Sequence, residues 1–302
     1  MIRLGLCCKF LEEPIRFRTT TARYLFSLKQ KRESPLLFLN KLCLHNAEAL
    51  ERAIEYCSFH HIGSFRISSR FLPLATHPEF SYSIKNLPNA HEIETILKSC
   101  KQKAKKLGIR LTFHPDQFVL LSSSDDVIIQ KSLADIEYHT ALATHVGADV
   151  INIHGGGGYG DKKGALKRFA SNFSRLSKKA QRLLTVENDD RVYTPSDLLP
   201  LCKDIEIPLV YDAHHHRCLP DNLSIEKASM EALKTWNREP LFHISSPLSA
   251  EKFRPHHDYI DPGDVPSSWK LFPKLTIEVE AKGKERAVFL LRKQLKERGW
   301  PV

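Results

Sequence analysis

The sequence predicts an α/β fold, a (β/α)8 TIM barrel that forms a single domain over residues 1–302. Eight short apolar segments alternate with helical patterns, which is typical of a parallel sheet. Histidines or carboxylates stand at or near the ends of six of these segments. A closed parallel barrel gathers the carboxyl ends of all its strands around one cleft, so these polar residues would meet there. No glycine-rich dinucleotide motif or P-loop favours the alternative of an open doubly wound sheet.

The elements of the barrel can be assigned in order along the chain. The candidate strands lie at residues 2–6, 63–67, 109–114, 149–154, 183–187, 208–212, 241–245 and 274–280. Helical patterns, with apolar residues recurring at three and four positions, lie at 46–60, 91–108, 128–147 and 165–181. Gly108 and Gly147 stand where glycine commonly ends a helix.

Two segments depart from the regular alternation. Residues 11–45 are basic and contain the run Thr19-Thr20-Thr21, and they are too long for an ordinary strand-to-helix loop. We expect this segment to belong to the binding face. Residues 246–272 are rich in Pro, His and Asp, and we expect them to replace a regular seventh helix.

The chain is strongly basic. It carries 45 Lys and Arg against 35 Asp and Glu, a formal net charge of +10, and hydrophobic residues make up 42% of the composition, enough for one large core. Each basic run taken alone is typical of a solvated helix face. The sum of the runs favours a polyanionic partner such as nucleic acid.

The cysteines and the N-terminus bear on the compartment. Seven cysteines without a Cys-x-x-Cys pair suit reduced thiols in a cytosol. The apolar stretch at the N-terminus is too short for a signal sequence, and no later stretch approaches the roughly 20 apolar residues of a membrane span. We expect a cytoplasmic protein with no membrane partner.

Candidate metal ligands stand at the ends of the predicted strands. Carboxylates at the end of an apolar strand are costly unless a cation or a metal pairs with them, and a mixture of imidazole and carboxylate suits Mn²⁺, Zn²⁺ or Fe²⁺. A lone histidine there would more often be an ordinary buried residue, but the repetition favours ligands. Glu278 points to the same side of its strand as Glu280, and we expect it to contact the ligands without binding the metal itself. The candidates are His114, His154, Glu187, Asp212, His215, His243, His256 and Glu280.

A series of motifs then resembles the ultraviolet-damage endonuclease family from about Met1 to Arg298. The motifs are RISSRFLPLATHP (66–78), FHPDQF (113–118), NIHGGG (152–157), VENDD (186–190), YDAHHH (211–216), HISS (243–246), RPHHDYID (254–261) and EAKGKE (280–285). The resemblance implies a (β/α)8 barrel with up to three divalent metal ions. It also implies an enzyme that nicks damaged double-stranded DNA on the 5′ side of pyrimidine photodimers.

The resemblance also implies how the ligands are shared. One metal would be held by His114, His154 and Glu187. A second would share Glu187, which would thereby take part in catalysis, and would add Asp212, His243 and Glu280. The third would use His215 and His256. We expect Mn²⁺. The ligand types alone do not select one ion, so Zn²⁺ and Mg²⁺ are alternatives.

Further roles follow from the same resemblance. His77 would lie near the scissile phosphate, although it could instead cap the loop before Pro78. Lys282 could approach a phosphate or could be a surface lysine at the start of a helix. Gln117 and Phe118 match a pair that wedges into the duplex, with Phe118 in place of the usual tyrosine.

Three positions depart from the family pattern. Leu6 and Phe10 are expected at the lesion contact, where the family has Tyr and Asn, so the lesion range is open. Leu241 replaces a lysine that is carboxylated in some relatives, so that modification cannot occur here.

The expected function is therefore a divalent-metal-dependent DNA repair endonuclease acting 5′ to cyclobutane dimers and 6-4 photoproducts. An apurinic-site endonuclease with weak photolesion activity is the nearest alternative. A sugar isomerase on the same barrel would also use His, Glu and Asp, but its substrate would not explain the net charge of +10. A non-catalytic damage-binding protein is a third class. A monomer is expected, because a damaged duplex is an asymmetric substrate.

Overall fold

The computed structural model describes residues 1–302 and contains one sheet of eight parallel strands. The strands are β1 Ile2–Cys7, β2 Ser64–Ile67, β3 Arg110–Phe113, β4 Val150–His154, β5 Leu184–Glu187, β6 Leu209–Val210, β7 Leu241–Ile244 and β8 Leu275–Val279. Each predicted segment coincides with one of them to within two residues at either end. The predicted (β/α)8 class is confirmed.

The sheet closes between its two terminal strands, β6 and β7, in the order β6-β5-β4-β3-β2-β1-β8-β7. The closing contact is a single parallel bridge between Asp212 and His243. The His243 N–H donates to the Tyr211 carbonyl oxygen at 3.0 Å. Two of the predicted metal ligands therefore stand at the seam of the barrel.

Ten helices surround the sheet. They are α1 Ala22–Gln30, α2 Pro35–Phe59, α3 Ala90–Leu107, α4 Asp126–Val146, α5 Lys162–Phe173, α6 Lys178–Leu183, α7 Pro195–Ile205, α8 Ala213–Cys218, α9 Ile225–Lys234 and α10 Lys284–Glu297. The segment 246–272 contains no α-helix and only a short 3-10 turn at Ser267–Leu271, as the sequence predicts.

Two helix predictions need correction. The helix expected at 46–60 begins at Pro35, where Ser34 caps it by accepting from the Leu37 N–H, so the long segment 11–45 contains α1 and the start of α2. The helix expected at 165–181 is two helices. Ser177 begins the second one as its N-cap, and the Glu137 carboxylate accepts from both the N–H and the hydroxyl of Ser177.

The apolar core lies between the strands and the helices. Along β8, Leu275, Ile277 and Val279 face outward into a core cluster of 67 buried residues. Thr276 and Glu278 alternate with them and face the barrel interior. The interior holds a separate apolar cluster of only three buried residues, Val150, Val210 and Leu241. Barrel interiors are usually filled by branched apolar side chains, so this polar interior is a departure with a functional reason.

Two further observations concern the chain as a whole. All seven cysteines are free thiols. None of the helices is both long enough and apolar enough to cross a lipid bilayer.

Candidate metal centre

Glu187 is the central residue of a polar cluster at the carboxyl ends of the strands. It ends β5, pairs in register with His154 of β4, and is 1% exposed. Its Oε2 accepts from Asn152 Nδ2 at 2.5 Å and lies 3.0 Å from His114 Nε2. Its Oε1 lies 3.2 Å from the Nδ1 atoms of both His215 and His243. One oxygen of Glu187 therefore faces His114 and Asn152, and the other faces His215 and His243.

The charge of Glu187 is set by its neighbours. Burial disfavours the carboxylate, but His243, His154, His114 and His215 outweigh that cost and hold the pKa of Glu187 well below its usual range. Burial lowers the pKa of His154, because the charged imidazolium loses its hydration there. A neutral His154 is in the state that binds a metal.

Asp212 reaches the cluster as the N-cap of α8. Its Oδ1 accepts from the His215 N–H at 2.7 Å, which explains why the two residues occur three apart in the sequence. Asn188 holds the Asp212 backbone from both sides, since its Oδ1 accepts from the Asp212 N–H and its Nδ2 donates to the Asp212 carbonyl oxygen. The remaining oxygen, Asp212 Oδ2, is therefore fixed in place and directed into the cluster.

His243 and Glu280 complete the other half of the cluster. His243 is fully buried, and its Nδ1 lies 3.4 Å from Glu280 Oε1. Its Nε2 lies 3.1 Å from Glu278 Oε2. Burial opposes the imidazolium, but Glu187, Glu278 and Glu280 raise the pKa of His243 well above its usual range.

The donor set fits divalent metal ions. Six predicted ligands form three groups whose ligand atoms lie within 4.8 Å of one another: His114–Glu187–His243, Glu187–Asp212–His215 and Asp212–His243–Glu280. Glu187 Oε1, Asp212 Oδ2 and both ring nitrogens of His243 are buried and make no hydrogen bond of good geometry. Buried polar atoms without partners are rare in folded proteins, and a bound cation would satisfy these atoms.

The other two predicted ligands stand beside these groups. The His154 ring lies 5.0 Å from the His114 ring and 5.9 Å from the His215 ring. His256 Nδ1 lies 3.7 Å from Glu280 Oε2, and the His256 ring lies 6.3 Å from the His215 ring. The structure thus brings all eight predicted ligands to one end of the barrel.

His77 and Lys282 have local contacts. His77 Nδ1 accepts from the Glu79 N–H at 3.1 Å, and its ring packs against Phe80. This geometry matches the alternative role of His77 as a loop cap. Lys282 is exposed two residues after Glu280, and its backbone N–H donates to the His257 carbonyl oxygen.

Gln117 and Phe118 stand on an exposed loop three and four residues after His114. Phe118 is 73% exposed, which is unusual for a large aromatic side chain without a partner. Phe118 lines a cavity of about 630 Å³ together with Thr19, Thr20, Thr21, Arg70 and Lys131. The loop is therefore free to meet another molecule beside the metal centre.

Leu6 and Phe10 do not belong to the exposed face. Leu6 is fully buried and pairs with Val279 on the outward side of the sheet, so it packs against helices instead of facing the cleft. Phe10 is 3% exposed, stacks on Phe65 and packs edge-to-face against Tyr56. Their predicted place in the lesion contact is wrong, because both side chains are part of the apolar core.

Three residues of the centre are not among those predicted from the sequence. Asn152 and Asn188 orient the carboxylates, and Arg66 of β2 contacts Glu278 and Glu280. Inward parity could have identified Asn152 from its spacing to His154. Leu241, two residues before His243, is fully buried in the small apolar cluster of the barrel interior.

The chain is similar over most of its length to known proteins of one family. Residues 2–299 match the family UV-endonuclease UvdE. The UV DNA damage endonuclease of Bacillus mycoides (strain KBAB4) is 35% identical over 275 residues, covering 87% of this chain and 84% of that protein. The crystal structure of SacUVDE superposes with a TM-score of 0.87 and 27% identity, covering 99% of this chain and 100% of that chain.

A more distant structure shows the fold alone. Endonuclease IV from Thermus thermophilus matches with a TM-score of 0.60 and 15% identity over 98% of this chain and 99% of that chain. A likeness at that identity is shared by barrels of different activity. The family match over nearly the whole chain decides the assignment, and it excludes the sugar isomerase considered above. The chain belongs to the UV-endonuclease UvdE family.

Proposed function

We propose that this chain is a divalent-metal-dependent endonuclease that hydrolyses the phosphodiester bond immediately 5′ to a UV photolesion and leaves 3′-hydroxyl and 5′-phosphate ends. The observation that carries the proposal is the Glu187-centred cluster, whose unpartnered buried ligand atoms occur in a chain of the UvdE family. Cyclobutane dimers and 6-4 photoproducts are the proposed lesions.

The eight ligands would hold up to three ions, with Mn²⁺ favoured and Zn²⁺ or Mg²⁺ as alternatives. Such ions lower the pKa of a bound water and stabilise charge on the phosphate. Glu187 would be shared between two ions, since its two oxygens face opposite halves of the cluster. Asn152 and Asn188 would keep the carboxylates in the required orientation.

The loop with Gln117 and Phe118 would recognise the damage. An exposed ring can enter the duplex and fill the space left by displaced bases, and a distorted site has already lost part of the few kcal/mol of stacking that opposes this step. Thr19–Thr21, Arg70 and Lys131 beside Phe118 supply hydroxyl and cationic groups for phosphates. The net charge of +10 predicts binding that weakens steeply with salt.

The remaining assignments are part of the same proposal. His77 and Lys282 would contact phosphates near the cleavage site. One chain would suffice as a monomer, because all eight proposed ligands come from a single barrel. Seven free thiols suit a repair enzyme that acts on DNA in the cytoplasm.

The test is nicking of end-labelled duplexes that carry one cyclobutane dimer, one abasic site or no lesion. The purified protein is assayed with Mn²⁺ and again with excess chelator. The proposal requires metal-dependent cutting immediately 5′ to the dimer. The variant Asp212→Asn, purified in parallel, should lose this cutting and thereby exclude a contaminating nuclease.

Two other outcomes would overturn the proposal. Cutting at the abasic site alone would favour the apurinic-site endonuclease. Lesion binding that chelator leaves unchanged, without cutting, would favour the damage-binding protein.

A further inference from the structure

Arg66 is a buried cation inside the candidate metal centre. It lies on β2 and extends inward, and its side chain is 13% exposed. Its Nη1 donates to Glu280 Oε1 and lies 3.3 Å from Glu278 Oε2. Its Nε is buried and has no hydrogen-bond partner. The guanidinium is therefore held by two carboxylates of β8 but is incompletely satisfied.

A second inward arginine is fully paired, although Arg217 and Arg238 also have buried nitrogens without a partner. Arg110 of β3 uses all of its nitrogens. Its Nε and Nη2 each donate to the Asp149 carboxylate at 3.0 Å. Its Nη1 donates to Thr276 Oγ1 and to the Pro240 carbonyl oxygen, and its Nη2 also donates to the Glu239 carbonyl oxygen. Arg110 is a structural residue by this criterion. Arg66 needs another explanation.

The explanation lies in Glu280, which Arg66 shares with a candidate ion site. Glu280 Oε1 accepts from Arg66 and also lies 3.4 Å from His243 Nδ1. Asp212, His243 and Glu280 form one of the three groups with ligand atoms close enough for a metal. Any cation bound by that oxygen would lie beside the guanidinium, and like charges at such distance repel in a buried site.

Glu278 offers Arg66 a partner that is not needed for the metal. Glu278 is fully buried, accepts from the Thr112 hydroxyl, and belongs to none of the three ligand groups. Arg66 can keep this partner when Glu280 turns to an ion. A buried guanidinium without any carboxylate would be far more costly.

We infer that Arg66 competes with a divalent ion for Glu280 and makes the Asp212–His243–Glu280 group the weaker and later-filled ion site. Glu278 is the counter-ion that retains Arg66 when the ion enters. This inference rests on the proposed function, because it takes the cluster to be a metal centre. Arg66 is thus a positioning residue that sets the order in which the ions bind.

The test is a Mn²⁺ titration of the full chain, followed by the EPR signal of free Mn²⁺ and by calorimetry. Arg66→Met should fill the weaker class of sites at about tenfold lower Mn²⁺ than the wild type, a change of about 1.4 kcal/mol. Arg70→Met is the matched control. Arg70 lies four residues further on, is 63% exposed, and pairs with Asp116, so its loss should leave both classes unchanged.

The outcomes separate the inference from the proposed function. A wild-type chain that binds no Mn²⁺ overturns the proposed function, and the inference with it. If the wild-type chain binds Mn²⁺ in two classes and Arg66→Met fills the weaker class at the same or a higher Mn²⁺ concentration, the inference alone is overturned.

A second pair of variants covers the case in which Arg66→Met destabilises the chain by leaving Glu278 unpaired. Arg66→Met/Glu278→Gln removes both buried charges and should bind the later ion as well as Arg66→Met does. Glu278→Gln alone should weaken that ion about tenfold, because Arg66 then has only Glu280. Equal weakening by Glu278→Gln in both backgrounds would contradict the role of Arg66. Thermal unfolding checks that each variant is folded.

Discussion

At the amino end of the barrel interior, Arg110 donates every hydrogen bond that its guanidinium can make, and Glu239 accepts from both Arg3 and Thr276. At the carboxyl end, Glu187 Oε1, Asp212 Oδ2 and both nitrogens of His243 make no hydrogen bond of good geometry. Both ends are polar and buried. They differ in whether the chain itself satisfies the polar atoms.

This difference separates structure from function within a single interior. An unsatisfied buried polar atom costs about 1–3 kcal/mol, so a fold keeps several of them together only where another species completes them. Arg110 and Glu239 at the amino end are paired within the chain, and the buried nitrogens without a partner near them, on Arg238, are donors that cannot bind a cation. The carboxyl end has open ligand positions, and the strands that close the barrel, β6 and β7, meet at two of its residues.

A substitution at the open end should have the strongest consequence. Glu187→Gln should lower Mn²⁺ affinity and nicking by more than about 100-fold, which exceeds the effect typical of residues that support a ligand. It should also lower the stability of the metal-free protein, because the charged forms of His215 and His243 lose a buried carboxylate partner. Calorimetry with Mn²⁺ and urea unfolding in chelator measure the two quantities. Mn²⁺ affinity within a factor of about ten of the wild type would contradict the proposed role of Glu187.

At the amino end, a substitution should lower stability without changing Mn²⁺ affinity. Arg110→Met should lower the free energy of unfolding by about 2–3 kcal/mol, since two carbonyl oxygens and Thr276 lose their donor while the half-exposed Asp149 is rehydrated. Mn²⁺ affinity should stay within a factor of about two, because Arg110 contacts none of the proposed ligands. Urea unfolding provides the measurement, and a tenfold change in Mn²⁺ affinity of the folded variant would contradict it.

The pH dependence of metal binding gives a finer test of the open end. Burial disfavours the charged forms of His215 and His243, but Asp212 and Glu187 outweigh it and raise the pKa of both imidazoles. Both therefore carry protons near neutral pH in the metal-free chain, and a metal must displace them. Apparent Mn²⁺ affinity should rise with pH between about 6 and 8, by about tenfold per unit for each displaced proton. Calorimetry in buffers of different ionisation enthalpy should show proton release, and affinity independent of pH would contradict these shifts.

A milder effect is expected at the rim outside the centre. Phe118→Ala should weaken binding to dimer-containing duplex by about tenfold, the effect of losing one stacked base, while Mn²⁺ affinity and stability stay unchanged. Phe10→Ala is the matched aromatic control. Its ring is buried, so it should cost about 3–5 kcal/mol of stability. Competition binding and urea unfolding distinguish the two, and equal losses of stability would refute the exposed role of Phe118.

The strands were predictable because each one is a short apolar run between helical patterns. The ligands were predictable because histidines and carboxylates stand at the ends of most of these runs. The split between α5 and α6 could also have been predicted, since Ser177 before Lys178 is a typical N-cap. The expected role of Leu6 at the lesion contact could also have been rejected from the sequence. Ile2, Leu4 and Leu6 alternate on one side of β1, and this parity places Leu6 in the core whatever residue relatives carry there.

Local periodicity and residue chemistry were enough to establish the alternation of strand and helix, the (β/α)8 class and the kinds of atoms that stand at the strand ends. Which of these atoms are satisfied depends on the folded barrel. Arg66 and Glu280 are 214 residues apart, and their contact depends on the registers of β2 with β1 and of β1 with β8. A missing hydrogen-bond partner is a property of all surrounding strands at once, so no single segment of the sequence can reveal it.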